Sequence, residues 1–123
     1  MTQFSKSYDL EERTARFGES VISFCMDLPR DTITAPLISQ LIRSSTSIGA
    51  NYVEANNASS KKDFTNKIFI CKKESQETKH WFRMLVRCLP KHENKIKMLW
   101  QECHELNLIF QKIISTLQKN LKN

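Results

Sequence analysis

Arg43, Ser47, Asn51 and Glu54 follow one another at spacings of four, four and three residues, and Glu74 belongs to the next helical segment. On a helix the first four fall within about 80° of one another and make a polar strip roughly 17 Å long. Carboxylates placed this way do acid–base chemistry only when a nucleophile or a metal stands with them, and the sequence supplies neither. Glu74 points into the apolar half of its own helix. A carboxylate buried there must find a cation or take up a proton, and Arg43 is the cation to pair with it. Together with Glu77, these residues read first as an interhelical hydrogen-bond network that fixes register. A binding site and acid–base catalysis are the alternatives.

Other chemistries find no carrier. His80, His92 and His104 do not pair with one another or with cysteines at metal-site spacing, and the adjacent Cys103 and His104 point about 100° apart on a helix. Cys25, Cys71, Cys88 and Cys103 are far apart, three of them among apolar neighbours, so they are expected reduced and behaving as small hydrophobes. There is no phosphate-binding glycine loop. No cofactor and no metal are expected.

The remaining candidate is a charged surface. Lysine and arginine number 19 against 13 acidic residues, a formal +6 that attracts polyanions without selecting one. Along the third helical segment Lys61, Lys72, Lys79, Arg83 and Arg87 share one half, flanked by Lys62, Lys73 and His80. Such a ridge can follow phosphates over several turns, or be an ordinary solvated face. No aromatic pair of the RNA-binding sheet type and no helix-turn-helix accompanies it, so any binding should be backbone-driven and salt-sensitive.

The elements that must position these residues are helical. Only Gly18, Gly49, Pro29, Pro36 and Pro90 break the chain, too few for the turns of a sandwich or barrel. Leu10, Thr14, Phe17, Val21, Phe24 and Leu28 alternate steps of four and three; Ile96, Leu99, Cys103, Leu106, Phe110, Ile113 and Leu117 do the same. Four helices are predicted at about 9–28, 35–56, 61–88 and 94–119. Thr34 is the predicted cap of the second, Ser60 with Asp63 an approximate capping box for the third, and the final KNLKN is expected to fray. Short turns make sequential helices antiparallel, so the fold class is all-α, an up-down-up-down four-helix bundle forming one domain over residues 1–123. The second helix is apolar on two sides, through Leu37, Leu41, Ile48, Tyr52 and Ala55 and through Ile42, Thr46, Gly49 and Val53. That pattern, with Phe69 on the polar side of helix three and Trp81 at its apolar edge, points to a partner subunit.

The segments LIRSSTSIGANYVEAN (Leu41 to Asn56), SSKKDF (Ser59 to Phe64) and CKKESQETKHWFRML (Cys71 to Leu85) resemble the four-helix bundle proteins encoded in 23S ribosomal RNA intervening sequences. Arg43, Ser47-Ile48, Ala50-Asn51 and Glu54 match that family's helix-two motif; Lys62, Phe64, Glu74, Ser75 and Glu77 match its helix three. Gly49 stands where many members have proline, and Asn56 where a glycine often ends the helix. The resemblance implies an antiparallel bundle that closes into a ring, typically a pentamer, with no established enzymatic activity. A more distant similarity, to accessory proteins of diversity-generating retroelements, implies basic rings that bind a reverse transcriptase and nucleic acid.

The expected protein is therefore a non-enzymatic, cytoplasmic homo-oligomer without a membrane span, whose basic surface holds RNA or DNA. The alternative is a scaffold that docks another protein.

Overall fold

In a computed structural model, residues 9–121 are described, and they form four long helices. Helix α1 spans Leu10–Met26, α2 Thr34–Asn56, α3 Lys61–Cys88 and α4 Glu93–Leu121, with a short 3-10 turn at Pro90–His92 before α4. Each start has a local cause. The Asp9 side chain accepts the Glu12 N–H at 3.0 Å and opens α1. Ser60 Oγ accepts the Asp63 N–H at 3.0 Å and opens α3, while the Asp63 carboxylate turns to Ser59 Oγ.

Three boundaries differ from the sequence reading. Thr34 is not the cap of α2 but its first residue. Asp31 Oδ1 accepts the Thr34 N–H at 2.8 Å and Thr34 Oγ1 accepts the Asp31 N–H at 3.0 Å, a reciprocal box with the aspartate at its head. Helix α1 ends two residues before Leu28, since the residue preceding Pro29 is pushed out of helical geometry. Leu28 still packs into the core, and its N–H reaches the Cys25 carbonyl. At the other end α4 continues through Leu121, beyond the start of the segment expected to fray; residues 122–123 lie outside the described part.

The contacts between helices establish the topology. Asn56 bonds Glu11, and a side chain at Gly49 would meet Thr14, so α1 and α2 run antiparallel. Thr78 bonds Ser44 and Cys71 bonds the Ile48 carbonyl, which sets α3 against α2. Asn107 and Cys103 of α4 bond Ser75 of α3, and Arg13 of α1 grips Glu102 and Glu105 of α4. These pairings are consistent with an up-down-up-down bundle.

Val21, Leu41, Ile48, Ile68, Phe82, Leu85, Leu106 and Phe110 are fully or almost fully enclosed in one core shared by all four helices. Each such side chain contributes about 1.5–3 kcal/mol by leaving water. Phe17 of α1 meets Phe82 of α3 edge-on across the middle, at 6.5 Å between centroids. On α4 the buried line passes from Phe110 to Ile114, leaving Ile113 and Leu117 half-buried. A straight helix drifts against a strict heptad by about 20° per repeat, enough to move the seam one position over three heptads.

Helix α2 is covered from within the chain on one side and over part of the second, where Val53 stays 41% exposed. Its second apolar side meets α1, where Thr46 lies against Gly18 and Gly49 against Thr14. A methyl at Gly49 would stand 3.3 Å from Thr14 Oγ1, so glycine is what lets these helices close up. The chain itself therefore accounts for Thr46 and Gly49 on the second side of α2, and Val53 is what it leaves uncovered.

Candidate nucleic-acid interface

Helix α3 turns Ile68, Cys71, Ser75, Thr78, Phe82 and Leu85 inward. On the far side Lys61, Lys62, Lys73, Arg83 and Arg87 are exposed, with Gln76, His80 and Phe69 among them. None of these five cations forms an ion pair with another described residue. From Lys61 to Arg87 the ridge runs roughly 39 Å at 1.5 Å per residue.

Lys72 and Lys79, predicted to stand in the same row, are half-buried at the α3–α4 seam. Lys79 Nζ lies 3.1 Å from His104 Nδ1 and 5.2 Å from the centre of the Trp100 ring. His104 stacks on Trp100 one turn away, at 5.0 Å and 14° between planes. Lys79 thus spends its charge on an aromatic face and an imidazole rather than on solvent. The ridge is narrower than the sequence pattern, by those two lysines.

The polar strip of α2 divides in two. At one end Arg43 holds Glu77 at 2.9 Å and Glu74 at 3.4 Å, and Glu74 is only 7% exposed. Glu74 Oε1 has no hydrogen-bond partner among the described residues, and among them the Arg43 charge compensates it. At the other end Glu54 meets Lys67, a residue the sequence did not single out, at 2.6 Å. By accepting that hydrogen bond Glu54 holds the Lys67 ammonium above its ordinary pKa. Between them Asn51 bonds back to the Ser47 carbonyl of its own helix at 2.8 Å. The six residues of the expected network are thus two ion-pair clusters clamping α2 to α3, separated by an Asn–Ser turn.

Burial pushes the Cys71 and Cys103 thiols up to about 12 and that of Cys25 to about 11, so these thiols stay protonated at neutral pH. Among the described residues no three His, Cys, Asp or Glu side chains gather as a metal site would require, and no helix is long and apolar enough to cross a membrane.

Two open grooves flank α1. One, of about 750 Å³ between α1 and α2, has a floor of Thr14, Gly18, Thr46, Gly49 and Ala50 and a rim carrying Asp9, Glu11, Glu12 and Glu19. The other, of about 700 Å³, lies between α1 and α4 beside Phe17, Met98 and Leu99. Sequence reasoning missed both, along with Arg13, whose guanidinium bonds Glu102 at 2.8 and 2.9 Å and Glu105 at 2.9 Å. Trp81 is half-buried against the core, with its indole N–H enclosed and unpartnered, whereas Phe69 projects into solvent.

The sequence profile of 23S rRNA-intervening sequence proteins matches residues 6–112, most of the chain. The chain belongs to that family. A crystal structure of an S23 ribosomal protein family member from Bacteroides thetaiotaomicron, itself described as of unknown function, superimposes with a TM-score of 0.76. The two are 28% identical over 85% of this chain and 97% of that one. No curated protein matches. For this 23S rRNA-intervening sequence protein the family assignment agrees with the helix-two and helix-three motifs and with the all-helical bundle.

Proposed function

We propose that this chain is a non-enzymatic, cytoplasmic homo-oligomer that holds RNA or DNA by its phosphate backbone, in connection with ribosomal RNA intervening sequences. One observation carries the reading. Lys61, Lys62, Lys73, Arg83 and Arg87 line one exposed face of a single helix, and none of them forms an ion pair with a described carboxylate. Lys72 and Lys79 border that face. Assembly supports it physically: copies in a closed ring, a pentamer on the family resemblance, repeat the ridge and add phosphate contacts at high local concentration. Ile22, Met26 and Val53 leave apolar surface on the α1–α2 side, away from the ridge, for such contacts.

Retention of mixed RNA and DNA against salt tests the reading. Each neutralised phosphate contributes about 0.7–0.9 to the slope of log K against log salt, so five cations give roughly −4 per engaged subunit. Reversing Lys73, Arg83 and Arg87 to glutamate should abolish retention while sedimentation stays unchanged. Absence of binding at low ionic strength, or an affinity indifferent to salt, rejects it.

The acid-rimmed groove between α1 and α2 favours a second reading, a scaffold that docks a basic segment of another protein. Nuclease treatment separates the two: material pulled down by the protein either disappears or remains.

A further inference from the structure

Phe69 is the one side chain on α3 that the bundle does not explain. It lies two residues from buried Cys71, about 160° round the helix, so it is no peripheral core residue. It is 41% exposed, and its neighbours on that face are Lys62, Asn66, Lys73 and Gln76, all exposed. Lys62 stands two turns before it and Lys73 one turn after. A phenyl ring left in water between uncompensated cations is costly for a solvated face and useful to one kind of ligand: a polyanion that carries flat, unpaired rings.

We infer that Phe69 is a stacking platform for an unpaired base, with Lys62 and Lys73 holding the phosphates on either side. This rests on the nucleic-acid reading above and narrows it to single-stranded RNA or DNA. A duplex keeps its base faces stacked internally and shows a protein helix only edges and backbone, so the ring gains nothing there. A single strand offers a π-face at every nucleotide, which makes the contact tolerant of sequence. A second copy of this chain is the less favoured occupant, since it brings net positive charge toward the same lysines.

Binding of a 20-nucleotide oligo-uridine and of its duplex with oligo-adenosine, at constant moderate salt, provides the test. Phe69→Ala should weaken the single strand by about tenfold and leave the duplex within twofold. Phe69→Leu should fall equally, because it keeps apolar area without a ring. Phe69→Trp should retain affinity and lose indole emission on binding. The salt slope should match wild type in all three, as no phosphate contact is removed.

Equal single-strand affinity of wild type and Phe69→Ala, with binding still lost in Lys73→Glu, overturns the stacking role and leaves the nucleic-acid reading intact. Failure of the wild type to bind either probe overturns both. If Phe69→Ala instead changes the sedimentation coefficient, the ring is an assembly contact and the inference is wrong.

Discussion

Replacing Arg43 by methionine removes the only positive charge among the described residues within 4 Å of Glu74 and leaves a carboxylate that is 7% exposed without that compensation. Breaking a fully buried ion pair by deleting one partner costs about 3–5 kcal/mol. Here the Arg43 side chain is itself 49% exposed, and its 3.4 Å approach to Oε1 is electrostatic rather than a hydrogen bond. Water screens part of that attraction in the native protein, so roughly half the range applies, about 2 kcal/mol. With a urea slope of about 1–3 kcal/mol per molar, the unfolding midpoint should fall by roughly 1 M. Protein concentration must be held fixed, since any assembly couples to the transition. Glu74→Gln keeps the shape and drops the charge, so it should cost less than Arg43→Met. The double variant should recover at least 1 kcal/mol relative to the sum of the singles. An Arg43→Met midpoint within experimental error of wild type, or strict additivity, refutes the view that Glu74 depends on Arg43.

Gly18→Ala should stabilise by about 0.5–1 kcal/mol in the same assay, because an added methyl finds its nearest neighbours at an ordinary 3.7 Å and a helical glycine is entropically costly. Backbone hydrogen bonds from Thr34 and Ile33 hold the Asp31 carboxyl below its ordinary pKa of 3.8. Its contribution is therefore complete above that pH and fades as pH falls through the lowered value; the stability gap between wild type and Asp31→Ala should narrow on acidification below about pH 4. In native protein at pH 8 a thiol reagent should modify half-buried Cys88 first, with Cys25, Cys71 and Cys103 reacting only on unfolding. Mass spectrometry of the labelled peptides decides it.

The bundle was legible because amphipathic periodicity is local. The steps of three and four along α1, α3 and α4 place Val21, Phe82 and Phe110 in the core without knowledge of any neighbour. The Arg43–Glu74 pair was legible for a related reason: an acid on an apolar face demands a cation, whichever helix supplies it. Glu54–Lys67 and Lys79–His104 were not, since each depends on the register between two helices, which periodicity within either one leaves open. The covering of part of α2 was misjudged on the same ground. Its two apolar sides are visible in the sequence, but that α1 fits part of the second depends on the closeness allowed at Gly49. The buried hydroxyls and amides of Ser44, Ser75, Thr78 and Asn107 escaped because polar residues read as solvent-facing until a partner opposite is known.

Carboxylates crowd the groove beside α1, and unpaired cations crowd α3, which meets α1 only through the core at Phe82. The protomer is therefore an electric dipole across its width. On the proposed nucleic-acid reading, the field of a phosphodiester strand would turn the α3 side toward it before contact and leave the acid-rimmed groove of α1 facing away. On that same reading a second strand would meet the carboxylates beside α1, so the proposed contact is with one side of the chain and does not bridge two strands.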